Sequence, residues 1–296
     1  MGMIESLEKI RGTSKPRILG VKHSGQLGDI VYSLPAAKKM MSRALCTHLV
    51  YFIPNDTLIT SQTGVIHFGK EKMVTQEMFD FIRPLLMEQD YVYDVIYLPT
   101  DKIPSGVANF DVFRNFGLNT AAGSIRDYFF KSLEICCDNN NRWIQLKSTY
   151  PKQCDVVLSR SRRYLNNSID YSLLSQFPIS IGFIGADDEV ERFKRRYPKL
   201  QLSHLKVDDA CHAAKLIEAC DLFIGNQSFF FSIAEGLQKT RLLECFEPVP
   251  NVICNGGVHG SFTSTNAMLK MVSDLIDHPA VQLSESNAPS EYLFNL

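Results

Sequence analysis

The chain lacks any apolar run long enough to cross a bilayer. Its longest, such as "ISIGFIGA" (179–186), fall well short of the ~20 residues a spanning helix needs. Its opening, "MGMIESLEKIRGTSKPR", has no hydrophobic core of a secretory signal. Charge of one sign is also missing. A net charge of −1 gives no global pull toward nucleic acid or an anionic membrane, which leaves a local basic patch and at most peripheral membrane contact. Eight cysteines form no C-x-x-C pair, and the adjacent Cys136 and Cys137 suit neither a disulfide framework nor a zinc ribbon. Several lie inside apolar runs, where cysteine acts as a small hydrophobe, so a reducing, cytoplasmic compartment is expected. The seven histidines show no H-x-x-x-H or H-E-x-x-H spacing, and no metal or cofactor is expected. The absence of G-x-G-x-x-G disfavours a nicotinamide-dependent oxidoreductase. Internal repeats and low-complexity tracts are absent too.

What is present is an alternation of strand-like and helix-like segments. "PRILGVK" (16–22), "THLVYFI" (47–53) and "YDVIYLP" (93–99) read as strands. They alternate with helices over 29–43, 76–89 and 124–136, the second carrying Pro84 as a kink or break. The Gly-, Asn- and Pro-rich stretch 100–123 reads as loop. After a polar, proline-bearing break at "LKSTYPKQ" (146–153) the pattern restarts, with strands over 155–159, 179–186, 221–225 and 241–246. Helices are expected near 169–176 and over 187–198, 208–220, 228–238 and 264–277, the last able to pack on either half. At 296 residues, two domains are the natural division. The fold class is α/β: two tandem Rossmann-like, doubly wound parallel-sheet domains, 1–150 and 151–296, facing a central cleft.

Three loops should reach that cleft. "KHSGQLGD" (22–29) turns through Gly25 and Gly28 into Asp29, with His23 and Gln26 beside it. Asp29 suits a helix cap, a part of a phosphate cradle, or a carboxylate that takes a proton from an attacking hydroxyl. "SRSRRYLNN" (159–167) sets Ser159, Arg160, Arg162 and Arg163 after a strand, where guanidinium forks fit a diphosphate or simply face solvent. "GNQSFFF" (225–231) places Asn226, Gln227 and Ser228 at a helix start, a geometry shared by capping and phosphate binding. Asp187 and Asp188, at a strand end, suit ribose hydroxyls or a helix cap. The cluster Arg192, Lys194, Arg195 and Arg196 reads as a solvent face.

"RILGVKHSGQLGDIVYSLPAAKKM" resembles the amino-terminal signature of the ADP-heptose:lipopolysaccharide heptosyltransferases, glycosyltransferase family 9 with the GT-B fold. "ACDLFIGNQSFFFSIAEGLQKTRLLECFEP" resembles that family's second signature in degraded form. The resemblance implies inverting, metal-independent transfer of a heptose-like or other sugar from a nucleotide diphosphate, ADP above all, to a glycan or lipid-linked glycan acceptor, with the domains closing to exclude water. It matches the family's general base to Asp29. The donor phosphates match Ser159–Arg163 and the turn Asn226–Ser228, and the ribose carboxylate matches Asp187 or Asp188. The acceptor side then holds His23, Gly25 and Gln26. Where the family's turn reads Asp-Ser/Thr-Gly, with a histidine shortly after, this chain has Gln227, Ser228, Phe229 and Ser232. Phe229 in place of glycine crowds the phosphates, so a non-catalytic nucleotide- or sugar-binding protein and a GT-B epimerase stand as alternatives.

Overall fold

The computed structural model describes residues 15–59, 71–115, 123–137 and 142–277. The outer ends of the two expected domains, 1–14 and 278–296, lie outside the described residues.

Continuous apolar runs become buried parallel strands because helices cover both sheet faces. In the first sheet these are β1 (Ile18–Lys22), β2 (His48–Pro54), β3 (Val92–Leu98) and a two-residue β4 (Ala108–Asn109). They are ordered β3-β2-β1-β4 and every pairing is parallel. Helix α1 (Leu27–Arg43) joins β1 to β2, α2 (Gln76–Glu88) precedes β3, and α3 (Ile125–Ser132) follows β4. Pro84 does not interrupt α2, since Phe79, Ile82, Leu85 and Leu86 bury one face and outweigh the lost backbone bond.

The second sheet holds β5 (Val156–Ser159), β6 (Ile181–Phe183), β7 (Ser203–His204), β8 (Leu222–Asn226), β9 (Arg241–Glu244) and β10 (His259–Phe262). Its order, β10-β9-β8-β5-β6-β7, is wholly parallel and is the doubly wound arrangement of a dinucleotide-binding fold. Helices α4 (Asp187–Arg196), α5 (Ala210–Ala219), α6 (Phe229–Gly236) and α7 (Thr265–Asp277) accompany it. Acids open α4 and bases close it, in line with its dipole, while Asp209 caps α5 by accepting the His212 N–H at 2.8 Å. The segment near 169–176 is a 3-10 helix, Tyr171–Gln176. Helix α7 packs on the second sheet, with Met268 and Val272 fully buried in the cluster that contains Phe262. The short strands β4, β7 and β10 carry too few residues for a readable pattern.

The two sheets share a core. α1 packs on α6 and α2 on α5, and one cluster of buried side chains runs from Val21, Ile30 and Leu34 through to Phe231, Ile233 and Leu243. Main-chain bonds also cross: Ile125 N–H to Asn251 O at 3.0 Å, and Trp143 N–H to Gly236 O at 3.0 Å. The Trp143 carbonyl meanwhile accepts from the Tyr91 hydroxyl at 3.1 Å, so the only tryptophan reports on this seam. The protein is therefore expected to unfold in urea as one cooperative transition. Trp143 fluorescence and far-ultraviolet circular dichroism should give coincident midpoints; two separated transitions would show that the halves unfold independently.

Candidate functional site

Ligands of such sheets bind beyond the carboxyl ends of the strands, where strand order reverses. In the first sheet that point lies between β1 and β4, flanked by the turn after Lys22 and by the segment after Asn109. His23 is fully buried there, its ring centroid 5.3 Å from that of Phe129. Its Nδ1 accepts the Gly25 N–H at 2.9 Å, so the proton of the neutral ring sits on Nε2. Burial pushes its pKa down to about 4, only partly offset by Asp111. His23 thus shapes the turn and has no surface to offer an acceptor. Gln26 does not cap α1; its Nε2 donates to Met73 O at 2.9 Å and ties down the segment before α2.

Asp29, in the first turn of α1, is 21% exposed, and its Oδ2 accepts from Arg114 Nη2 at 3.2 Å. Arg114 Nη1 donates to Asp111 Oδ1 at 2.9 Å, and the same oxygen accepts the Ser24 N–H at 2.9 Å. Burial opposes ionisation of Asp111, but His23, the Ser24 amide and Arg114 outweigh it and hold the carboxyl below its ordinary range. Gly25 is required for close approach rather than for its φ angle. A Cβ there would lie 2.6 Å from Arg114 Nη2 and 2.5 Å from His23 Cε1.

In the second sheet the reversal falls between β5 and β8. Ser159 is buried at the end of β5, and the arginines that follow it diverge. Arg160 turns inward: Nε and Nη2 donate to Glu244 at 2.7 and 2.9 Å, and Glu244 also accepts from Tyr171 Oη and the Asn166 N–H. Its fork is spent on that buried carboxylate. Arg162 pairs with Asp188, which also takes Arg192. Among the described residues Arg163 has no carboxylate partner, and it lies over the Tyr164 ring, 5.3 Å from its centroid. Tyr164 adopts a left-handed backbone, φ 53°, and the fully buried Asn226 fixes that conformation. Asn226 Oδ1 accepts the Ser161 N–H at 3.0 Å, while Nδ2 donates to the carbonyls of Ser161, Arg163 and Tyr164. Gln227 is likewise occupied: Nε2 donates to Val249 O and Asn251 Oδ1, and Oε1 accepts the Phe246 N–H. Ser228 stands at the start of α6 with a buried Oγ that makes no hydrogen bond.

Asp187 is exposed, 3.5 Å from His204 Nδ1. The next acid but one, Glu189, is buried; its Oε2 accepts the Ala186 N–H at 3.2 Å, and the Arg162 main-chain N–H also favours its charged form. Burial raises its pKa above the ordinary carboxylate value. With Arg160, Ser161, Arg192 and Arg196, Glu189 walls a cavity of about 310 Å³, so the arginines of α4 that read as a solvent face also rim a cavity.

The packing of α1 on α6 unites the two ends. A Cβ on Gly28 would lie 3.7 Å from Phe229 Cα, so the helix N-termini carrying Asp29 and Ser228 abut. Phe81 of α2 completes the seam against Phe229 and Phe230, with centroids 5.9 and 6.4 Å away. Among the described residues no three His, Cys, Asp or Glu side chains gather as a metal site. Asp111, Arg114, Glu189 and Glu244 escape sequence reading. The only signal for the first two is "FDVFRN" (110–115), a charged pair three apart in a segment that reads as loop.

No family model matches the chain, and no curated protein does. Solved structures do match. An Escherichia coli heptosyltransferase WaaC with ADP superposes with a TM-score of 0.57 at 11% identity, covering 87% of this chain and 99% of that one. The E. coli ADP-heptose LPS heptosyltransferase II gives 0.55 at 12%, covering 89% and 99%. A family 9 glycosyltransferase from Veillonella parvula gives 0.52 at 12%, covering 89% and 93%. The chain has the two-sheet GT-B fold of these proteins over nearly their whole length.

His23 sets a pH dependence. It binds fewer protons folded than unfolded between about pH 4 and its unperturbed 6.5, so stability should fall as pH drops through that window, by up to about 3 kcal/mol. Urea melts from pH 7 to 4 should show this slope and show it flattened in His23→Gln; an unchanged slope in the variant would assign it elsewhere.

Proposed function

We propose that the protein is an inverting, metal-independent glycosyltransferase that moves a sugar from a nucleotide diphosphate, ADP first among them, to a hydroxyl of a glycan or lipid-linked glycan. The single observation that carries this reading is the abutting of the Asp29 and Ser228 helix starts, at the carboxyl edges of two nucleotide-fold sheets. The fold shared with proteins solved with ADP supports it.

In this reading Asp29 takes the proton of the acceptor hydroxyl as its oxygen bonds to the anomeric carbon. The bond from that carbon to the phosphate oxygen breaks, and the electron pair leaves with the nucleotide diphosphate. Arg163, without a carboxylate partner among the described residues, and the Ser228 Oγ with the first amides of α6 neutralise that leaving charge, the part a metal would otherwise play. Glu189, buried on a cavity wall, suits a ribose hydroxyl better than the exposed Asp187 or the ion-paired Asp188. Arg160 and Asn226 support the loop from behind. The acceptor lies over Gly25 and Asp29, with His23 and Gln26 holding the turn. Eight free thiols fit a reducing, cytoplasmic setting. Among the described residues no helix is long and apolar enough to cross a membrane.

A binding protein without turnover is the second reading, favoured by Phe229 in the first turn of α6 and by the fully occupied amide of Gln227. Calorimetry with ADP alongside a transfer assay over a donor panel separates the two. Asp29→Asn should abolish transfer and leave ADP affinity within about twofold, since its carboxylate touches the acceptor alone. Equal loss of both would remove the base assignment. Arg163→Ala should weaken ADP about 10- to 100-fold, the worth of a lost charge-assisted contact of about 1.5–3 kcal/mol; unchanged affinity would refute the role.

A further inference from the structure

Asp29 occupies the third position of α1, where a capping carboxylate would reach back to the N-cap amide. It does not do so. Among the described residues its side chain has one hydrogen-bond partner, Arg114, which takes Oδ2. We infer that Arg114 is a positioning residue for Asp29: it holds Oδ2 and turns Oδ1 toward the seam as the oxygen that receives the acceptor's proton. This rests on the base reading above.

The guanidinium is itself fixed from three sides. Nη1 donates to Asp111 Oδ1, whose other contact is the Ser24 main-chain N–H, so the fork is tied to the backbone of the turn that leads into α1. Its plane lies over the Phe113 ring at 4.5 Å, and Phe113 packs on Phe129 at 4.7 Å. The third side is Gly25, where any side chain would collide with Nη2. The local charges balance, with Lys22 3.6 Å from Asp111 Oδ2 and Arg114 between two carboxylates. Lysine cannot reproduce this bridge, because one ammonium does not present two parallel donors along a planar fork.

The experiment compares Arg114→Ala, Arg114→Lys, Arg114→Gln and Asp29→Asn in steady-state transfer, with ADP calorimetry on each. Arg114→Ala should lower kcat about 10²-fold, the usual penalty for a displaced catalytic group, with acceptor KM and ADP Kd within about threefold. Arg114→Lys should recover only part, and millimolar guanidinium chloride should restore part of the alanine variant's rate. Arg114→Gln keeps bulk over Phe113 but loses the two-armed fork, and should reproduce the loss in kcat, which covers the case in which Arg114→Ala folds poorly. A rise in acceptor KM with kcat unchanged would overturn the inference and make Arg114 an acceptor contact. Wild-type kcat in Arg114→Ala, with Asp29→Asn inactive, would overturn it while leaving the base reading intact. Transfer retained by Asp29→Asn, or none by the wild type with any donor, would remove the base reading and this inference with it.

Discussion

The contact between α1 and α6 decides what this molecule can do. Each helix leaves the carboxyl end of a central strand in its own sheet, so each start collects the polar ends of that sheet. Alone, either would be an ordinary helix N-terminus. Packed together at Gly28 and Phe229, the first turns of the two helices come into contact. The contact holds because both helices turn apolar faces inward: Ile30, Val31 and Leu34 from α1, Phe231, Ile233 and Ala234 from α6, all fully buried. Each such side chain is worth about 1.5–3 kcal/mol on burial, which is ample to set the mutual position of two short turns.

Most polar groups near those turns are committed to holding them. Asn226 spends its amide on the backbone of 161–164, Gln227 on that of 246–249, and Arg160 on Glu244. Their burial would be costly without those partners, and with them the loops have no freedom to collapse. Among the described residues a smaller set is left over: Asp29 through one oxygen, Arg163, and the Ser228 hydroxyl. The groups that hold the loops thus differ from those left over by whether a hydrogen bond remains to be made.

That distinction marks how far the sequence was legible. Strand and helix alternation follows from hydrophobic period and capping residues, so the tandem α/β fold and the position of Asp29 after β1 are readable from "RILGVKHSGQLGD". Residue type also singled out the arginine loop, but type does not tell an inward fork from an outward one. Arg160 and Arg163 are three positions apart, and only the distant Glu244 separates their fates. Arg114 is the harder case: its partner lies 85 residues upstream, and the segment carrying it has no regular pattern. Glu189 was masked by the two aspartates before it, since three acids opening a helix look equivalent until one is seen to be buried.

The shared core also bears on how freely the two halves can move. Two domains joined by a small polar interface are free to hinge, and closure can then expel water. Here the seam is apolar and continuous from Val21 to Leu243, and main-chain bonds at Asn251 and Gly236 cross it. Opening it would expose Phe81, Phe229 and Phe230 together with the α1 face, a cost of several kcal/mol at about 25 cal/mol per Å² of apolar surface. The first turns of α1 and α6 are therefore held against each other by apolar burial. The Phe229 ring that crowds the start of α6 has a physical role in this arrangement: it fastens the second sheet to α2 of the first.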